Sequence, residues 1–99
     1  MITVNSTSHV RNSMTKNKNF VERSLETLVQ DCCSNIRKIR NRRGYTQEKL
    51  GEISGLGRIR IVEIEGGRYE PKLSTLNIIA LALGVKVHEL LMHEISEQS

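Results

Sequence analysis

Residues 44–67 read GYTQEKLGEISGLGRIRIVEIEGG, and this stretch predicts two short helices joined by a turn. The hydroxyl of Thr46 can accept a hydrogen bond from the first free backbone amides of a helix, so we expect a helix over 47–54. Within the triplet 55–57, a glycine can close that helix in a left-handed conformation while the leucine fills the angle between two helices. A second short helix is expected over 58–65, where a pair of glycines ends it.

The second of these helices has one side for a core and one side left open. At 100° per residue, Ile64 and Glu65 lie within about 60° of Ile61, and these three residues form the core side. The opposite half carries Ile59, Val62 and Glu63. Two short helices joined by a three-residue turn, the second with an open face, form the arrangement that places a helix in the major groove of DNA.

The open face carries groups that can contact a duplex. Arg58 in the first turn and Arg60 on the flank can reach phosphates or a guanine edge, while Ile59 and Val62 offer methyl groups to thymine. Glu63 can accept a hydrogen bond from cytosine. The alternative is that the two aliphatic residues are loosely buried in a packed bundle and that the arginines only aid solubility.

Upstream of this stretch, apolar residues recur at helical spacing from Leu25 to Ile39, which predicts an amphipathic helix that ends before Gly44. The pattern fits one long helix, and it also fits two helices, because Asp31 can cap a new helix. Downstream, we expect Ser74 to cap a fourth helix. Its apolar face would consist of Leu76, Ile79, Ala80 and Leu83. Gly84 ends that helix, and a short fifth helix follows with Val85, Val87, Leu90 and Leu91 on its apolar side.

The composition bounds the architecture. A chain of 99 residues forms one domain, and three aromatic residues with abundant leucine, isoleucine and valine favour an all-α protein. We divide the chain into a flexible basic arm over 1–19, a helical extension over 20–33, a helix-turn-helix domain over 34–93 and a flexible tail over 94–99. The arm is rich in Asn, Ser and Thr and cannot bury enough apolar surface to offset its ordering entropy.

The positive charge is concentrated in two parts of the chain. The net charge is +4, made up of +3 over 1–19, −1 over 20–30, +4 over 31–72 and −2 over 73–99. Residues 36–43 hold five basic side chains in eight and no acid. This cluster suits a polyanion as well as an ordinary solvated helix face.

Several classes of protein are not favoured. Cys32 and Cys33 are adjacent with no other cysteine, so we expect neither a disulfide nor a metal site but buried apolar filler. The histidines at positions 9, 88 and 93 have no nucleophile or carboxylate pair beside them, so we expect no enzyme, no metal and no cofactor. No apolar run approaches the roughly 18 residues of a membrane span and no secretory signal is visible, so we expect a cytoplasmic protein without membrane contact.

The order and spacing of these motifs resemble the Xre/Cro-type, lambda-repressor-like family of helix-turn-helix transcriptional regulators, over roughly residues 34–92. The residues that carry the resemblance are Ile39-Arg40, Gly44-Tyr45-Thr46-Gln47-Glu48-Lys49-Leu50, Gly55-Leu56-Gly57, Ile61-Val62-Glu63-Ile64-Glu65-Gly66-Gly67, Pro71, Leu76, Ile79-Ala80 and Leu83-Gly84-Val85. The resemblance implies a five-helix DNA-binding domain.

The resemblance also assigns roles to individual residues. It implies that Gln47 contacts a backbone phosphate, that Arg58, Ile59 and Glu63 read bases, and that Arg40 pairs with Glu65. Together with the open face derived above, the expected base-reading set is Arg58, Ile59, Val62 and Glu63. The expected phosphate-contacting set is Thr46, Gln47, Arg43, Arg60, Arg68 and Lys72. The alternative for Arg40 and Glu65 is that both are ordinary surface charges.

Two glycines depart from the family pattern, which usually has alanine where this chain has Gly51 and a hydroxyl cap where it has Gly57. Glycine disfavours a helix interior by up to about 1 kcal/mol relative to alanine, and a glycine cap is weaker by roughly a few tenths of that. We therefore expect both glycines to weaken their helices, and Gly57 to lack a side chain that often contacts DNA.

A domain of this size usually needs a partner copy to read an operator, with two recognition helices about 34 Å apart. We therefore expect a homodimer that binds a palindromic operator and represses transcription. Candidate dimer surfaces are the last helix, with Val87, Leu90, Leu91 and Met92, and the extra segment 20–29. The alternative function is an antitoxin or another protein-binding module that neutralises a partner protein, with DNA binding secondary, and the sequence does not choose between the two.

Overall fold

The computed structural model describes residues 18–93, and across that range it contains five α-helices and no β-strand. These are α1 (Lys18–Arg42), α2 (Gln47–Ser54), α3 (Arg58–Glu65), α4 (Leu73–Leu83) and α5 (Val87–Leu90). The all-α prediction is confirmed. None of these helices is both long enough and apolar enough to cross a bilayer.

Helix α1 is a single helix of 25 residues, about 37 Å long at 1.5 Å per residue. The open question of a break at Asp31 is therefore decided in favour of one continuous helix. Lys18 and Asn19, the last two residues of the arm predicted over 1–19, belong to this helix. The expectations for 1–17 and for the tail 94–99 fall outside the described residues.

The core lies between the C-terminal half of α1 and the other four helices. Its buried apolar members are Cys32, Ile36, Ile39, Leu50, Ile61, Ile64, Leu76, Ile79, Ala80, Leu83 and Leu90. The buried stripe of α4 is the predicted one. Both cysteines are buried, as expected. This core holds α3 by two isoleucines that are completely buried, and it leaves the first turn of α3 exposed at Arg58 and Ile59.

The turn between α2 and α3 is built as its sequence indicates. The hydroxyl of Thr46 accepts a hydrogen bond from the Lys49 amide over 2.9 Å, and Gly55 closes α2 at φ = 78°. Leu56 is half-buried and packs against the core. Both helix boundaries match those expected from the sequence, because caps and left-handed glycines are local signals.

Gly51 corrects one expectation. A Cβ added there would lie 2.5 Å from the carbonyl carbon of Gly57 and 2.6 Å from the amide nitrogen of Arg58. The weakening of α2 expected from Gly51 therefore brings no gain for an alanine, because the backbone of α2 touches the backbone at the start of α3 and leaves no room for a Cβ. The Gly57 amide donates a hydrogen bond to the Gly51 carbonyl over 3.0 Å across this contact.

Gly57 itself precedes α3 at φ = 91° and ψ = 154° and makes no side-chain cap. Residues with a Cβ are strained in this region of φ and ψ, which is essentially reserved for glycine. The first amides of α3 therefore lack a side-chain cap, as expected. The structure adds that a hydroxyl residue would not fit the same backbone without strain.

Helix α4 begins earlier than predicted. The cap is Lys72, not Ser74, and Ser74 lies exposed in the first turn. The Leu76 amide donates to the Lys72 carbonyl over 3.0 Å, so the helical hydrogen bonds already include Leu73. Ser74 was chosen for its hydroxyl, but the extended backbone that ends at Lys72 starts the helix without a side-chain cap.

The end of α5 is tied to α1 by a buried amide that sequence reasoning missed. The Nδ2 atom of Asn35 donates to the Leu90 carbonyl over 3.0 Å and to the Met92 carbonyl over 2.7 Å. Asn35 is almost completely buried. Because a buried amide must be hydrogen-bonded, this side chain fixes where the chain runs after α5.

Candidate nucleic-acid interface

Helix α3 presents the two sides that its sequence predicts. Ile61, Ile64 and Glu65 are buried, whereas Ile59 is 70% exposed. Arg58 is also exposed, while Val62 and Glu63 are half-buried. The alternative that Ile59 is loosely packed in the bundle is excluded by its exposure. An aliphatic side chain therefore projects from the first turn of a short helix whose other side is firmly held.

The C-terminal end of α3 is fixed to α1 by Arg40 and Glu65. The guanidinium makes two hydrogen bonds to the carboxylate, from Nε to Oε2 over 2.6 Å and from Nη2 to Oε1 over 3.0 Å. The Nη1 atom of Arg40 donates to the Tyr45 carbonyl over 2.8 Å. The Nη2 atom of Arg37 donates to the Glu65 backbone carbonyl over 3.3 Å. Both members of the pair are buried, so they are not ordinary surface charges.

Gln47 joins the same network. Its Nε2 atom donates to Oε1 of Glu65 over 3.1 Å, so the first residue of α2 is bonded to the last residue of α3. The side chain is half-buried. This contact sets the angle between the two short helices at the point where α2 begins, which is also where its first backbone amides lack intrahelical acceptors.

Arg60 is held between two neighbours. Its guanidinium lies over the ring of Tyr69, 4.4 Å from the ring centre, and its Nε atom lies 3.5 Å from Oε1 of Glu63. Sequence reasoning missed Tyr69. Two features of the sequence could have drawn attention to Tyr69. It is one of three aromatic residues in the chain, and it lies in the irregular stretch after the second short helix. An arginine stacked on an aromatic face is oriented in a way that a free one is not.

The other residues expected to contact phosphates occupy different places. Thr46 caps α2, and Arg68 and Lys72 are exposed on the segment between α3 and α4. The Arg68 amide donates to the Glu63 carbonyl over 3.2 Å, which keeps that segment beside α3. Arg43 lies elsewhere, because its Nε atom donates to the Leu83 carbonyl at the end of α4 over 2.8 Å.

The cysteines and the two described histidines lie outside α2 and α3, in α1, in α5 and after α5. Burial, and then the neighbouring Cys33 thiol, raise the pKa of Cys32 to about 11. Burial also raises the pKa of Cys33, and the nearby Arg37 charge opposes that rise. His88 is exposed, and Nδ1 of His93 lies 2.8 Å from Oδ2 of Asp31. Over the described range of the chain, no three metal-ligating residues come together.

Comparison with known proteins adds to this geometry. Residues 36–90 match the helix-turn-helix family. Over 59 residues the chain is 42% identical to the immunity repressor protein of Bacillus phage phi105, covering 60% of this chain and 41% of that protein. Over 60 residues it is 43% identical to control protein C.SmaI of Serratia marcescens, covering 61% and 71%. The chain thus spans less than half of the phage repressor.

A solved structure shows the same architecture. The hypothetical transcription factor NHTF from Neisseria superposes with a TM-score of 0.64 at 34% sequence identity. The superposition covers 66% of this chain and 75% of that chain. A helix-turn-helix transcriptional regulator from Vibrio cholerae has a similar fold, with a TM-score of 0.63 at 20% identity.

Proposed function

Since this chain belongs to the helix-turn-helix family of Xre/lambda-repressor type, we propose that α3 enters the major groove of double-stranded DNA and that the protein represses transcription at a specific operator. The family consists of transcriptional regulators that bind DNA and are not enzymes. Names such as immunity repressor protein and control protein among the relatives support regulation as the role.

The exposed first turn of α3 carries the proposal. Ile59 is 70% exposed although α3 is anchored by two fully buried isoleucines. An aliphatic group in this position contacts a thymine methyl, and the adjacent Arg58 reaches a guanine edge or a phosphate. Val62 and Glu63 complete the base-reading set, with Glu63 accepting from a cytosine amino group.

The phosphate contacts are proposed to surround this helix. Gln47 and Thr46 stand at the start of α2, where backbone amides and the positive end of the helix dipole favour an anion. Arg60, Arg68 and Lys72 supply positive charge on and after α3. Arg43 is not included among these contacts, because its guanidinium is bonded to the end of α4.

Two copies are proposed to bind a palindromic operator. A single α3 of eight residues reads few base pairs, whereas two such helices about 34 Å apart meet successive major grooves on one face of the duplex. Positive charge near α3 provides the attraction to phosphate that does not depend on sequence.

Selection of binding sites from randomised duplex DNA tests the proposal. The wild-type protein should enrich a palindromic motif, and Ile59→Ala and Glu63→Ala should change the preferred bases. Leu81→Ala is the control, because Leu81 is equally exposed at 71% but lies on α4. No enrichment by the wild type would refute sequence-specific reading and would favour the alternative of a module that neutralises a partner protein.

A further inference from the structure

The N-terminal half of α1 carries an apolar stripe that the domain does not cover. Val21, Leu25 and Leu28 are 59%, 49% and 43% exposed. They continue the seam that Cys32 and Ile39 bury in the core, and the spacings of four, three, four and seven residues are those of a heptad. One helix therefore has a single apolar stripe, of which the C-terminal part is covered and the N-terminal part is not.

The stripe borders an apolar groove. An open groove of about 220 Å³ runs between α1 and the opposite wall formed by the segment before α4 and the end of α5. The residues that form it include Leu25, Leu28, Val29, Pro71, Leu73 and Leu91. Leu73 is 68% exposed at its rim. The largest exposed apolar patch of a typical monomeric protein covers about 300–600 Å² and is often functional.

We propose that this stripe and groove are covered by a second copy of the same chain, with the two α1 helices packed side by side about a twofold axis. Such an interface is isologous, so each copy supplies one protruding stripe and one groove, and the apolar area counts twice. A stable dimer buries about 800 Å² on each partner, of which somewhat more than half is apolar. Val21, Leu25, Leu28 and Leu73, each at least 43% exposed, supply aliphatic surface to this contact from both copies.

The charges along this half of α1 fit self-association. Residues 18–30 contain two basic and two acidic residues, Lys18, Arg23, Glu22 and Glu26, so the segment is neutral. Residues 31–72 carry a net +4. Two copies can therefore meet along the neutral end of α1 without net repulsion, while like charges keep their basic parts apart.

The rival surface on α5 offers little. Leu90, one of the residues that the sequence suggested for a dimer surface, is completely buried. Val87 and Leu91 pack against the core, which leaves Met92 as the exposed apolar residue of that set. The α1 surface is therefore the larger of the two surfaces that the sequence suggested.

This arrangement rests on the proposed function in that a dimer serves two half-sites. Helix α1 would carry the dimer contact at one end, and at its other end Arg40 holds Glu65 of α3. Because α1 is one unbroken helix of 25 residues, the dimer contact and the DNA-reading helix are rigidly connected. The spacing between half-sites would then be fixed without a flexible linker.

The test is the mass of the full chain in solution, measured by light scattering over a range of concentrations. The wild type should be a dimer, and Leu25→Glu/Leu28→Glu should raise the dimer dissociation constant by about tenfold or more. The matched control is Leu81→Glu, which adds the same charge at an exposed leucine of α4 and should leave the mass unchanged. Circular dichroism checks that the charged variant keeps its helices.

A mixing experiment separates self-association from other causes. Leu25→Lys/Leu28→Lys should also be monomeric alone, and mixing it with the glutamate variant should restore a dimer through opposite charges. A monomeric wild type, a glutamate variant that remains dimeric, or a mixture that stays monomeric would each refute the α1 interface. The first of these results would mean that something other than a second copy covers the groove.

DNA binding distinguishes this inference from the proposed function. The glutamate variant should bind a single half-site as tightly as the wild type but lose affinity for the two-half-site palindrome. If the wild type is a dimer through α1 but selects no DNA motif, the proposed function fails and this interface stands. If it selects a palindrome while the glutamate variant remains dimeric, the function stands and this interface fails.

Discussion

Arg40 and Glu65 form a buried pair with two hydrogen bonds, 2.6 Å and 3.0 Å long, between the last turn of α1 and the last residue of α3. Gln47 donates to the same carboxylate. Three helices therefore meet at one carboxyl group, and the position of α3 depends on it.

Glu65→Ala should lower the free energy of unfolding by about 3–5 kcal/mol, because it leaves the Arg40 guanidinium buried without its partner. Denaturant titration at neutral pH measures this. Glu52→Ala is the control, since Glu52 pairs with Lys49 at 3.7 Å on the exposed surface, and such pairs contribute at most about 1 kcal/mol. Equal losses in the two variants would contradict a structural role for the buried pair.

Gly51→Ala should destabilise the domain by about 1–3 kcal/mol, because the added methyl overlaps backbone atoms of residues 57 and 58. Helix propensity alone predicts the opposite sign, a gain of up to about 1 kcal/mol. Thermal unfolding decides between the two. A stabilised Gly51→Ala variant would show that the close approach of α2 to α3 is not required.

Arg58→Ala should cost about 1–3 kcal/mol in affinity and relax the preference at one base pair if Arg58 reads a base. Gln47→Ala should weaken binding to all sequences alike. It should also lower the free energy of unfolding by about 1 kcal/mol, because it removes the hydrogen bond to Glu65. Affinities for matched and mismatched duplexes measure the effect of each substitution on DNA binding, and denaturant titration measures the stability of Gln47→Ala. A changed base preference for Gln47→Ala would contradict its assignment to a phosphate.

Tyr69→Leu should weaken DNA binding by a few-fold, because Arg60 loses the aromatic face that orients it, a contact worth about 0.5–1 kcal/mol. Tyr69→Phe keeps the ring and should bind like the wild type. The comparison is made by titrating a labelled operator duplex at fixed salt. Equal losses for both variants would point to the hydroxyl group and not to the stacking.

The two thiols should resist alkylation in the folded protein. At neutral pH a thiol with a pKa of about 11 is ionised about a hundred times less than one at the ordinary 9.0, and the thiolate is the reactive form. Both should react once the protein is unfolded in denaturant. Rapid reaction of either thiol in the native protein would contradict the burial described here.

The raised pKa of Cys32 also predicts a pH effect on stability. The thiol ionises from about pH 9 in the unfolded chain but only near pH 11 in the folded one, so the unfolded state loses protons first. The free energy of unfolding should therefore fall as pH rises from about 9 towards 11. Cys32→Ala should reduce this slope, which separates the thiol from tyrosines and lysines that titrate in the same range.

The helices on either side of the turn, and the buried and open sides of α3, were predictable from the residues alone. A threonine cap, a left-handed glycine and a 3.6-residue periodicity act within a few residues, so their signals survive without a structure. The predicted start of α4 was two residues too late for a related reason. A serine hydroxyl suggested a cap, but the extended backbone at Lys72 began the helix first.

Which distant residues meet was not predictable from the residues and depends on the packing of the helices. Four contacts join different elements in this way. They are the close approach of α2 to α3 at Gly51, the stacking of Arg60 on Tyr69, the hydrogen bonds of Asn35, and the hydrogen bond from Arg43 to the end of α4. The same holds for the part of α1 left uncovered, because helical periodicity marks an apolar stripe but not what lies against it. Such contacts depend on how helices pack in space, and side-chain spacing along one helix carries no record of the neighbour that it will touch.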